Sequence, residues 1–107
     1  MAVWAKIKFF WETMMGSAGS TLTASSTASG YDAKNIYDML ETTMWKAGSV
    51  TPPQTITYDA GAGNTKTADY IIFLGHNFST AGASVYIEYS DNGTTWTEAW
   101  STTPTSD

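Results

Sequence analysis

His76 is the only histidine of the chain and the side chain best suited to move a proton near neutral pH. It stands beside Asn77 in a stretch that reads as a loop, where it would bind a ligand, serve as a base, or simply hydrogen-bond the loop. No serine or threonine is tied to it by local spacing, so a nucleophile–histidine–carboxylate triad has no support. The ten carboxylates are scattered, with no pair at a spacing that sequence can connect to glycosidic cleavage. Zero cysteines exclude thiolate catalysis, disulfides and cysteine-held zinc. The expectation is a protein that is not an enzyme and that calls for no cofactor.

Binding chemistry has more candidates. Tryptophan stacks on flat ligands when exposed and fills cores when buried, its N–H then satisfied by backbone. Trp45 and Trp100 are both open to the ligand reading, Trp100 because it lies near the tail. Trp96 reads as a core plug beside a hairpin. Asn64, His76 and Asn77, with Asn92, supply polar loop groups of the kind that grip a ligand at one end of a β domain. Trp4, Phe9, Phe10 and Trp11 form a second aromatic group, which marks a protein–protein contact if the domain itself does not cover it.

The elements that must position these residues are mostly strands. The chain has 107 residues, enough for one core, and 18 Thr and 11 Ser favour strands and turns over helices. Val85–Tyr89 alternates strictly, with Val85, Ile87 and Tyr89 on one face, and runs into Asp91-Asn92-Gly93, a hairpin turn. Residues 95–100 make the returning strand. Gln54 to Asp59 alternates too, with Ile56 and Tyr58 together. Residues 68–74 are almost continuously apolar, as in a strand buried on both faces. Residues 20–28 read as an edge strand, and residues 35–46 as a short helical turn ended by Gly48. Thr51-Pro52-Pro53 closes that first half. Along 3–15, Val3, Trp4, Ile7, Phe10, Trp11, Met14 and Met15 fall on one helical side, while Ala5, Ile7, Phe9 and Trp11 would also alternate as a strand. The organisation expected is an apolar arm over 1–15, helix or interaction segment, followed by one all-β antiparallel sandwich or jelly roll over 16–107.

Charge narrows the partners. The net charge is −5 and no arginine is present, which argues against nucleic acid and against an anionic membrane surface. Lys6 and Lys8 lie inside the N-terminal apolar stretch with no signal-like core after them, so synthesis in the cytoplasm without a signal peptide is expected.

Three segments together resemble one family. Ile36-Tyr37-Asp38 through Thr43-Met44-Trp45 is similar to an Ala-x-Asp-Gly-x-x-x-Thr-x-Trp segment, with Asp38, Thr43 and Trp45 in register. Residues 54–61 and 66–71 resemble a strand "Ile-x-Ile-Asp-Leu-Gly", its loop, and "Val-x-x-Ile". Val85 to Trp96 resembles "Val-x-Val-x-Tyr-Ser-x-Asp-Gly-x-x-Trp". These are marks of the discoidin, or coagulation factor 5/8 type C, family of galactose-binding-like β-sandwiches. Leu74-Gly75-His76-Asn77 and Thr80-Ala81-Gly82-Ala83 look like the versions found in bacteriophage and prophage structural proteins.

The resemblance implies a jelly-roll sandwich and a non-enzymatic role: structural or assembly work in a phage-like virion, or carbohydrate binding at a cell surface. Partners would be further copies, other virion proteins or glycans, and the location a virion or extracellular particle. Relatives can hold calcium through carbonyl oxygens after the first Asp; here Met39, Leu40 and Glu41 follow, so Asp38 and Glu41 would serve a metal only if that loop survives. Met44 stands where many relatives carry arginine. In the family further strands follow the position of Trp96, so a shortened sheet, a strand from another chain, or the N-terminal segment in its place is expected there, and an open sheet edge invites pairing.

Overall fold

The computed structural model describes residues 13–68 and 70–107. Within them the chain is all-β with antiparallel strands and, apart from one 3₁₀ turn, no helix. Trp4, Phe9, Phe10 and Trp11, and with them the choice between helix and strand for most of 3–15, lie outside the described residues. The chain divides into two units, Met1–Lys66 and Thr67–Asp107.

In the first unit β1 (Thr21–Ala24) pairs antiparallel with β2 (Ile56–Asp59), Leu22 opposite Tyr58 and Ala24 opposite Ile56. Period-2 alternation puts those four apolar side chains on one face, and all four are half-buried. The Tyr58 hydroxyl lies 3.2 Å from Ser17 Oγ. The edge strand expected over 20–28 shortens to four residues, and past Ala24 serine side chains share the pairing with the backbone, Ser25 N–H still donating to the Thr55 carbonyl at 2.9 Å. Ser25 Oγ accepts from Thr55 N–H at 2.9 Å, and Ser26 Oγ bonds Gln54 Oε1. Gly61 holds φ +93°, and a Cβ there would stand 2.5 Å from the Gly19 carbonyl oxygen, so only glycine fits.

The helical turn expected around 35–46 lies upstream instead, as a 3₁₀ turn at Ala33–Ile36. What stops it is Asp38. Its Oδ1 accepts from Leu40 N–H at 2.9 Å and its Oδ2 from Thr43 Oγ1 at 2.6 Å. This side chain offers the backbone a turn in place of helical bonds, and Met39 takes φ +63°.

In the second unit β3 (Val85–Tyr89) pairs antiparallel with β4 (Thr97–Thr102). Val85 faces Thr102 and Ile87 faces Trp100, but Glu88 faces Glu98, so Ala99 is an extra residue in β4. The bulge falls between Ile87 and Glu88 in the ladder; Val85 and Ile87 are half-buried, whereas Tyr89, expected beside them, is 56% exposed. The returning strand runs two residues further than expected, and residues 90–96 form the connection. Gly93 adopts φ +71°. Asn92 closes the loop by side chain: its Oδ1 accepts from Thr94 N–H at 2.9 Å and Thr95 N–H at 2.8 Å. Trp96 rides on this loop 44% exposed and is not a core plug.

The apolar run corrects another expectation. Residues 70–74 form no strand and are not buried: Ile71 and Ile72 are each 53% exposed and Leu74 86%. A strand needs a ladder, and the described residues of this unit form only the β3–β4 ladder.

Candidate functional site

One face of the β3–β4 hairpin builds a cleft. Because cross-strand partners share a face, Val85, Thr102 and Trp100 project to the same side. The chain segment ahead of β3 closes over them with Phe73, His76 and Phe78, and Pro104 completes the wall. The cleft measures about 140 Å³, room for a single ring. Phe73 and Phe78 meet edge to face, centroids 5.6 Å apart at 78°, while His76 lies flat on Phe78 at 4.5 Å and 15°. Trp100 is 50% exposed, so it both lines the cleft and presents surface to solvent.

The loop that carries Phe78 is tied to itself and to the tail. Ala81 N–H donates to the Asn77 carbonyl at 2.9 Å and Ala83 N–H to the Phe78 carbonyl at 2.8 Å. The Asp107 carboxylate accepts from Ser79 N–H at 2.7 Å and from the Thr80 hydroxyl. The Thr80 hydrogen bond, more than the backbone donors and the neighbouring His76, holds that carboxyl below the usual carboxylate range. His76 Nδ1 accepts a long 3.5 Å bond from Phe78 N–H, which leaves the ring proton of the neutral form on Nε2. The cleft therefore offers aromatic faces, the His76 imidazole and the Thr102 hydroxyl. That is equipment for holding a ring with polar edges.

Of the residues singled out from sequence, His76 and Trp100 are brought together here, 24 positions apart in the chain. Asn77 adjoins them but does not line the cleft; it is exposed and supports the loop through its carbonyl. Trp45 and Asn64 belong to the other unit. Trp45 is half-buried and donates Nε1–H to the Ser26 carbonyl at 3.2 Å, the structural one of its two readings. Asn64 is exposed, its N–H bonded to the Gly61 carbonyl at 3.0 Å. Asp38 commits both carboxylate oxygens to Thr43 and Leu40, with Thr43 the main cause of its lowered pKa, so the loop is a side-chain-capped turn and not an open cage. Among the described residues no group of three or more acids, histidines or cysteines is gathered for a metal.

Sequence reasoning missed Phe73, Phe78 and Thr102. Phe73 was hidden in a run that reads as buried strand, and Thr102 lay beyond the expected end of β4. Phe78 carried a signal: it stands two residues from His76, within reach for the rings to stack.

Residues 21–106 match the family model of the F5/8 type C domain. No curated protein and no solved structure matches the chain at a significant level.

Proposed function

The chain belongs to the F5/8 type C domain family, and from that premise we propose that it is a non-enzymatic, galactose-binding-like module that holds one carbohydrate ring in the cleft beneath Trp100. The observation that carries this reading is the cleft itself, where a half-exposed tryptophan and perpendicular phenyl rings stand with an imidazole and a hydroxyl. Ligand sites of this kind combine apolar walls with a few placed polar groups. The non-enzymatic part is supported by the state of the two groups that could otherwise do chemistry. His76 lies flat against Phe78, and the Asp107 carboxylate is engaged by Ser79 and Thr80. A glycan array followed by calorimetry on each hit tests the reading. Saturable binding that is lost in Trp100→Ala supports it; an array without a binder, or a hit indifferent to Trp100, overturns it.

A second reading is favoured by a separate observation. Ile71, Ile72 and Leu74 present apolar surface, and a groove of about 200 Å³ runs along Ala68, Tyr70, Ile71 and Ile87. Such a surface suits burial against another copy or another protein. This supports a structural or assembly role in a phage-like virion, with self-association or other virion proteins as partners and the particle as location, reached after synthesis in the cytoplasm. The two roles are compatible, since a particle protein can also bind surface glycans. Sedimentation over a wide concentration range decides the second reading: a concentration-dependent oligomer dispersed by Ile72→Lys and Leu74→Lys supports it, and a monomer throughout refutes it.

A further inference from the structure

The charge of the chain is divided unevenly between its two units. Residues 1–66 carry five lysines against five carboxylates, while residues 67–107 carry Asp69, Glu88, Asp91, Glu98 and Asp107 with no lysine or arginine. All of the net −5 therefore resides in the unit that owns the aromatic cleft. On the outer face of the hairpin Glu88 stands directly opposite Glu98, an arrangement that cross-strand pairing disfavours unless a cation is near. Asp107 is bonded to Ser79 and Thr80, immediately after Phe78 of the cleft wall. It is ionised, and its field reaches His76. Screening does not erase such a field over the short distances of one small unit, because the Debye length is about 8 Å at physiological salt.

The walls add to the same preference. Aromatic faces carry negative quadrupole charge and attract an ammonium group, and the half-exposed Trp100 lines the same cleft as Phe73 and Phe78. An anionic ring would meet the opposite: no lysine or arginine in the unit, and a carboxylate bonded to the loop that carries Phe78.

We infer that the cleft selects a cationic amino sugar, its ring held by Trp100 and its ammonium drawn by the aromatic walls and Asp107, over the N-acetylated or acidic counterpart. This rests on the carbohydrate reading of the same cleft. The test uses the whole chain and three trisaccharides: glucosamine with free amines, the same sugar N-acetylated, and a uronate, each titrated at 20 mM and 500 mM salt.

The free amine is expected to bind about threefold to tenfold tighter than the N-acetyl form at low salt, the uronate weakest. The preference should shrink at high salt and in Asp107→Asn, and persist in Glu98→Gln on the outer face. Equal affinity for amine and N-acetyl forms, a preference for the uronate, or an Asp107→Asn variant that keeps the full preference overturns the inference and leaves carbohydrate binding standing. Failure of all three sugars overturns the inference, whereas only a glycan array without a binder overturns the carbohydrate reading as well. Because Asp107 also ties the loop at 79–80, the salt dependence of the unaltered chain gives a readout that does not depend on the variant folding.

Discussion

Trp100→Ala separates what this indole does for the fold from what it does for a ligand. Trp100 is 50% exposed, so of the roughly 250 Å² a tryptophan can bury about half is already covered by Ile87 and the cleft wall. At about 25 cal/mol per Å², that covered half contributes at most about 3 kcal/mol to stability, an upper bound because unfolded chains bury some area too. The other half is free to meet a sugar, and truncating a central tryptophan in a binding site typically costs about 2 kcal/mol of affinity, roughly thirtyfold. The assay pairs thermal melts with calorimetric titration of an array-derived ligand, performed well below the melting point of the variant. Trp100→Phe serves as the companion, since it keeps a ring opposite Ile87. Expected are a melting point lowered by about 10–20 °C in Trp100→Ala with binding lost, and a smaller stability loss in Trp100→Phe with weakened binding. A destabilised Trp100→Ala that still binds with unchanged affinity would show that the indole is only a strut of the hairpin and not a ligand contact.

Three further outcomes follow from the first unit. Trp45→Phe removes the N–H donated to the Ser26 carbonyl and should cost about 1–2 kcal/mol in urea unfolding without altering glycan affinity; loss of binding would move the site to Trp45. Gly61→Ala would drive a Cβ to 2.5 Å from the Gly19 carbonyl oxygen at φ +93°, so a destabilisation of about 1–3 kcal/mol is expected, and an unchanged midpoint contradicts the geometry. Thr43→Val deletes the main donor to Asp38, whose folded pKa is depressed. A depressed carboxylate stabilises the fold above its unfolded pKa and loses that contribution as the pH falls through the folded value, below about pH 4. The variant should therefore show an Asp38 pKa moved up toward the ordinary range by carboxylate NMR and a shallower acid sensitivity; an unmoved pKa would show that Thr43 is not its principal partner.

Local alternation made the strands legible. Ile56 with Tyr58, and Val85 with Ile87, share faces as their period-2 spacing requires, and each pairs in the expected antiparallel sense. The Asp38–Thr43–Trp45 spacing was legible as a family mark, and its physical content is now explicit: Asp38 caps the turn through Thr43, and Trp45 anchors to Ser26. Side-chain capping was not legible, which is why a helical turn was expected across Met39. The apolar run at 70–74 was misread because hydrophobicity marks a preference for burial, not the presence of a neighbouring strand to provide it. At the site, residue type alone singled out His76 and Trp100. Their meeting depends on how the segment ahead of β3, which carries His76, folds back onto the hairpin face that carries Trp100, and no local pattern encodes that return.

The central claim is that the cleft of residues 67–107 takes a carbohydrate ring against Trp100 and His76. Titrating an array-derived glycan into labelled protein, while following the indole N–H and imidazole signals by NMR, tests it most directly. Saturable shifts are expected at Trp100 Nε1–H and the His76 ring, with Trp45 Nε1–H unmoved. Shifts centred on Trp45, or none at Trp100 and His76 at a glycan concentration that saturates binding, would contradict it.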